Sequence, residues 1–145
     1  MKLVCSFLSS FVLVCAMGAL LHADDRPPVT PDDLKMTSEP NAPGAAAIIL
    51  YRQVDRDDDP DRGHESNFLR IKILKEEGRK YADVEIPYEK GYSDKIVSVS
   101  GRTIHADGSV VEFKGKPFDK TIAKAKGLKY SAKTFTLPDV QVGSV

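Results

Sequence analysis

The chain contains no tryptophan, and its two cysteines, Cys5 and Cys15, both fall in the first apolar run. If that run is removed as an export signal, no thiol remains. Disulfides, a thiol nucleophile and a cysteine-built zinc set are then all excluded. An excess of one charge is missing too, since 21 Lys and Arg stand against 21 Asp and Glu. Such a balance supplies neither the electrostatic footprint of a nucleic-acid binder nor a pull toward anionic lipid. The sequence also lacks a Gly-rich phosphate loop and a Gly-x-Ser-x-Gly elbow, so two common routes to phosphate binding and acyl transfer are absent. No stretch of ten residues keeps a 3.6-residue apolar period, which argues against long helices.

What is present begins with Lys2 and the run from Leu3 to Leu21, closed by Ala23 and followed by Asp24 and Asp25. A basic residue, an apolar stretch and a small-residue exit predict a signal peptide over 1–23, cleaved after Ala23. An uncleaved anchor is the alternative, because the run approaches the roughly 20 residues that span a bilayer. A lipid anchor at Cys15 is disfavoured by Val14, which stands where a small residue belongs. Loss of Lys2 with the signal leaves 20 basic against 21 acidic side chains, a net charge near −1. The expected location is the bacterial periplasm or the exterior, with membrane contact only through an uncleaved signal.

Residues 24–44 carry Pro27, Pro28, Pro31, Pro40 and Pro43 without apolar periodicity, and this predicts a Pro-rich linker with at most one helical turn at 32–36. A folded domain is expected over 45–145. Its first strand is read at 45–54, an acidic loop at 55–63, and a return strand at 64–74. In that return strand Leu69, Ile71 and Ile73 share one face while Arg70 and Lys72 share the other. A short helical turn around Gly78 precedes extended structure at 84–88. Alternation predicts a longer strand over 94–104, and Asp107-Gly108 predicts a two-residue type I′ turn into a strand at 110–114. Residues 120–129 read as loop or poor helix, 131–137 as the last complete strand, and 139–143 as a turn into a strand barely begun. Together these predict an all-β, antiparallel, sandwich-like domain, interrupted at its C-terminal end and left with an unpaired sheet edge.

Asp55, Asp57 and Asp59 have the alternate spacing of a calcium loop, but Pro60 replaces the required Gly, Ser66 replaces the bidentate Glu, and Arg56 and Arg62 offset the charge. A solvated hairpin loop is the expectation. His22 leaves with the signal, and His64 and His105 stand beside turns without a second ligand at metal spacing. Lys114, Lys116, Lys120, Lys124, Lys126, Lys129 and Lys133 read as a solvated loop or edge face, with a patch for an anionic polymer as the alternative. Tyr51, Tyr81, Tyr88, Tyr92 and Tyr130 would have to line one exposed face to form a carbohydrate platform, and half-buried packing is expected instead. No residue is assigned a catalytic, cofactor-binding or metal-binding role.

The blocks Asn41-Ala-Pro-Gly-Ala-Ala-Ala-Ile-Ile-Leu, Ile73-Leu-Lys-Glu-Glu-Gly-Arg-Lys-Tyr-Ala-Asp-Val-Glu-Ile-Pro-Tyr88, Arg102-Thr-Ile-His-Ala-Asp-Gly-Ser-Val-Val and Phe135-Thr-Leu-Pro-Asp-Val-Gln-Val-Gly-Ser-Val145 occur in this order. In that order and spacing they resemble the β-rich domain of unknown function that precedes a transglutaminase-like core in exported bacterial proteins. The resemblance implies a β-sandwich module followed, in full-length relatives, by a core with a Cys, a His and an Asp, none of which has a counterpart here. It also implies that the present chain is a truncated product or a fragment of a longer protein, with a missing strand supplied by a partner chain as the alternative. The expected function is therefore a noncatalytic exported module, with no cofactor, that positions the downstream transglutaminase-like domain or contacts another protein. The alternative is a cell-wall or carbohydrate-binding module.

Overall fold

The computed structural model describes residues 26–90, 95–125 and 128–145. The expected signal, Asp24, Asp25, Tyr92, Asp94 and Lys126 lie outside the described residues. The chain is all-β and antiparallel, as its alternating segments predict. After one helical turn, α1 (Pro31–Lys35), the strands are β1 (Ala47–Asp57), β2 (His64–Ile73), β3 (Asp83–Lys90), β4 (Arg102–Ile104), β5 (Val110–Glu112), β6 (Phe118–Ala125) and β7 (Leu128–Thr136), with a 3-10 helix at Glu76–Ala82 before β3. They form three sheets: β1-β2, β3-β7-β6 and β4-β5.

The β1-β2 hairpin pairs Ile48 with Lys72 and Ile49 with Ile71, then shifts register so that Tyr51 faces Arg70 and Gln53 faces Phe68. Leu50 is the extra residue. Because side chains alternate with period two, this bulge exchanges the two faces of β1 halfway along. Tyr51 and Gln53 therefore join Ile48, Phe68, Arg70 and Lys72 on one face, while Arg52 and Val54 join Ile49, Leu69, Ile71 and Ile73 on the other.

Sheet β3-β7-β6 places β7 in the centre, and here the reading of 120–129 as loop or poor helix is corrected. Residues 118–125 are an edge strand paired with β7 through Phe118 to Thr134 and Thr121 to Ser131. Lysines dilute its apolar signal, and an exposed sheet edge is where lysines protect against strand addition. The long strand expected over 94–104 shrinks to Arg102–Ile104. Residues 95–101 alternate in sequence, but among the described residues no ladder pairs with them. Alternation alone does not supply hydrogen-bond partners.

The turn at Asp107-Gly108 is also corrected. Of these two residues only Gly108 has positive φ, at 86°, so this is not a type I′ turn. Gly108 N–H donates to His105 O at 2.9 Å and His105 N–H to Ser109 O at 2.9 Å. That pattern describes a three-residue loop with a left-handed glycine closing it. Asp107 Oδ1 accepts from both the N–H and the hydroxyl of Ser109, at 2.8 and 2.6 Å. Those bonds, the hydroxyl's first, hold its carboxyl below the usual carboxylate range, helped by nearby His105. Gly108→Ala has room, with nothing within 4 Å of the new Cβ, so its cost isolates backbone strain. We expect a loss of about 1 kcal/mol in urea denaturation, and less for Gly108→Asn.

Among the described residues the buried apolar side chains are Ile73, Leu74, Ala82, Ala132 and Phe135. Phe113, just after β5, packs on Phe135 with ring centroids 4.9 Å apart. The C-terminal residues are not left at an unpaired edge. Gly143 N–H and Ser144 O bond to Ile73 at 2.9 Å each, and Val145 exchanges two 2.8 Å bonds with Ile104. Residues 143–145 thus join the β1-β2 hairpin to the β4-β5 hairpin.

Candidate functional site

Two aromatic rings and two cations share the bulge-defined face of β1-β2. The pairing that opposes Tyr51 to Arg70 and Gln53 to Phe68 lines up two aromatics, one guanidinium and, a step further, the Lys72 ammonium. Lys72 is fully buried and Arg70 nearly so, whereas Leu69 on the opposite face is 51% exposed. Sequence alternation separated the two faces correctly, and over residues 69–72 it is the basic face that is covered.

The cover is the Pro-rich segment. Thr30 caps α1: its hydroxyl accepts from Asp33 N–H at 3.1 Å and Asp33 Oδ2 accepts from Thr30 N–H at 2.8 Å. Pro31 at the first helical position fits the missing donor there. A five-residue helix cannot nucleate alone, and this one is held through Leu34 O and through carbonyls of the residues before it. Arg70 donates to Pro27 O at 2.6 Å and to Pro28 O at 3.3 Å, and Lys72 Nζ donates to Leu34 O at 2.8 Å. The same Nζ donates to Gly143 O at 2.6 Å, so one ammonium ties strap, hairpin and C-terminal residues together. Burial pushes the Lys72 pKa down, opposed by Asp33. Arg26 lies 4.3 Å above the Phe68 ring, and Arg70 lies 5.6 Å from Phe68 and 5.8 Å from Tyr51.

A second polar cluster spans the three-stranded sheet. Register aligns Tyr88 with Ser131 and with Thr121, and Ile86 with Lys133 and Asp119. Lys133 Nζ lies 2.7 Å from Asp119 Oδ1, and the hydrogen bond to Asp119 raises the Lys133 pKa. Desolvation first, and the hydrogen bond to Asp119 second, push the Tyr88 phenol up as well. A lysine acting as general base needs a lowered pKa and an accessible nucleophile beside it. Here Lys133 is held protonated and Ser131 is 1% exposed. The chemistry of this cluster is cross-strand ion pairing.

His105, read from sequence as a turn residue, has a partner. Its Nε2 lies 3.2 Å from Asp139 Oδ2, and its side chain is 15% exposed. Asp139 adopts a left-handed φ of 51° and also accepts from Gln141 Nε2 at 2.9 Å. Thr103, buried beside it, donates to Pro138 O at 2.6 Å. These contacts pin the turn at 138–142 to β4. The signal that sequence reading lacked is the separation of more than thirty residues between the partners.

The acidic loop turns inward on itself. Asp59 Oδ1 accepts from Asp61 and Arg62 N–H at 2.9 Å each, Asp57 Oδ1 from Asp59 N–H at 3.1 Å, and Arg56 binds Asp58 at 2.6 Å. Its carboxylates build a turn instead of converging, and His64 stands 3.9 Å from Asp57. Among the described residues no group of three or more His, Cys, Asp or Glu is arranged to hold a metal ion. Of the lysines, Lys120 pairs with Glu85 at 2.7 Å across the sheet, an exposed pair worth a few tenths of a kcal/mol. Of the tyrosines, Tyr51 donates to Gln53 Oε1 at 2.9 Å, and Tyr81 and Tyr130 are exposed.

A family model described as Domain of Unknown Function with solved-structure structure (DUF3857) matches residues 62–145, more than half of the chain. No curated protein and no solved structure matches it.

Proposed function

The chain belongs to the DUF3857 family, a β-rich domain of unknown function, and from that premise we propose that it is a noncatalytic exported module that positions a neighbouring transglutaminase-like domain. The observation that carries this reading is the use made of its buried polar side chains. Lys72 and Thr103 donate to the backbone carbonyls of Gly143 and Pro138, in the distant C-terminal segment of the same chain. Groups committed in this way fix shape, and a module that presents a neighbour needs a fixed shape more than a free nucleophile. The run from Lys2 to Ala23 supports export, and the four sequence blocks support the transglutaminase-like neighbour.

Two measurements test the reading. Expression of the full chain in a bacterium, followed by fractionation and N-terminal sequencing, should find a periplasmic product beginning at Asp24. An intact N-terminus in the cytosol would remove export from the proposal. Mixing the chain with a transglutaminase-like domain from a protein that carries both should give association with Kd no weaker than about 100 μM, the range that tethering can exploit. Calorimetry without heat at that concentration would remove the positioning role.

One observation favours a polysaccharide-binding alternative. Phe118 faces Thr134 and Tyr130 faces Ala123, so both aromatics lie on one face of the three-stranded sheet, 60% and 40% exposed. Cosedimentation with peptidoglycan sacculi, lost in a Phe118→Ala/Tyr130→Ala double variant, would select this reading.

A further inference from the structure

Residues 26–36 behave as a ligand more than as a part of the core. None of α1 is buried, and every strap residue from 26 to 36 stays partly or fully exposed. Beneath them, Lys72 is 0% and Arg70 9% exposed. The strap therefore covers the two cations with backbone carbonyls and the Phe68 ring with the Arg26 side chain. Guanidinium and ammonium groups bound to carbonyls regain water when the strap leaves, so departure exposes a hydratable face instead of an oily one. An element that completes an apolar core has no such exit.

The connection to β1 points the same way. Lys75 Nζ donates to Gly44 O at 3.1 Å and Leu74 N–H to Ala46 O at 2.9 Å, so the start of β1 is anchored without the strap. The hinge is the exposed pair Thr37 and Ser38, which are followed by a turn closed by Ala42 N–H on Glu39 O at 3.0 Å.

We propose that the face formed by Tyr51, Phe68, Arg70 and Lys72 is a peptide-binding site, that residues 26–36 fill it in cis, and that the same segment of a second copy binds there in trans. Three carbonyl contacts, an Arg26 side chain on the Phe68 ring and one capped helical turn define the ligand. Tethering gives the cis segment an effective concentration of about 1 mM, so the site is closed in dilute solution and opens to exchange only when the strap is cut or crowded out.

The test keeps the full chain and inserts a protease recognition sequence between Thr37 and Ser38. After folding and cleavage, a fluorescent peptide of residues 26–36 should exchange into the site, read as a rise in anisotropy, while circular dichroism stays unchanged. A peptide ending at Asp33 lacks the Leu34 carbonyl and should bind about tenfold more weakly, as should the full peptide to Lys72→Met protein. A scrambled peptide should not bind. The proposal is overturned if cleavage unfolds the protein, because the strap would then belong to the core. It is equally overturned if the cut protein keeps its fold without taking up the peptide, or if the shortened peptide binds as well as the full one.

Discussion

Lys72→Ala should lower the free energy of unfolding by about 3 kcal/mol, and Lys72→Met by about 1, when both are measured by urea denaturation. The two numbers differ because the side chain does two jobs. Its methylenes are buried between the hairpin and the strap, and alanine removes roughly three of them at about 0.8 kcal/mol each. Methionine keeps most of that stem. Both variants strand the carbonyls of Leu34 and Gly143, which now accept from Nζ at 2.8 and 2.6 Å. Against this loss stands the relief of a desolvated ammonium, visible in the lowered pKa, which keeps the methionine cost small. Equal costs for the two variants would show that the stem contributes nothing.

The same group makes a pH prediction. Lys72 titrates below 10.5 in the folded chain because burial disfavours its charged form. Between its folded pKa and 10.5 the unfolded chain holds more protons on this residue than the folded chain, so its contribution to stability rises with pH through that window. Other groups also give an alkaline pH dependence, Tyr88 and Lys133 among them, both with raised pKa values. Subtracting the Lys72→Met profile removes them. The difference between the two profiles should climb toward pH 10.5, and a flat or falling difference would contradict the buried-ammonium account.

Much of this architecture was legible before the structure, and the failures share a cause. The β1-β2 hairpin, the helical turn at 31–35 and the 3-10 turn around Gly78 were readable because each is decided within a few neighbouring residues. Which face of β2 is covered was not, since alternation separates Leu69 from Arg70 but does not reveal that carbonyls from 38 to 43 residues earlier arrive to satisfy the cations. The bulge at Leu50 left no mark in composition, yet it decides that Tyr51 and not Arg52 joins Arg70. Edge strand β6 was hidden because lysines that protect an edge look like a solvated loop. Asp107-Gly108 marked a turn at the right place, but its type depends on how His105 and Ser109 close the ladder. The candidate site suffers most from this, because the carbonyl contacts of Arg70 and Lys72 that build it join residues far apart in sequence.

Gly78 brings local propensity and packing into direct conflict, and the conflict can be measured. It sits in Glu76–Ala82 among good helix formers, where propensity alone says that alanine should stabilise by about 0.5 to 1 kcal/mol. Packing says the opposite. A Cβ on Gly78 would lie 2.2 Å from Ala46 O and 2.9 Å from Ala46 C. Both are backbone atoms that no rotamer change can move. That carbonyl is already the acceptor for Leu74 and Lys75 N–H, at 2.9 and 3.0 Å, so displacing it breaks the junction where β1 begins and β2 ends. Gly78 does not have positive φ, which leaves space as the only reason for glycine. We expect Gly78→Ala to cost about 3 kcal/mol and Gly44→Ala, where nothing lies within 4 Å of the new Cβ, to cost close to nothing. Gly101→Ala should fall between them, because its 2.5 Å neighbour is Leu137 Cδ2, a side-chain atom able to rotate away. A neutral or stabilising Gly78→Ala would mean that the close approach of the 3-10 turn to β1 does not hold in solution, and with it the anchoring of the start of β1 would fail.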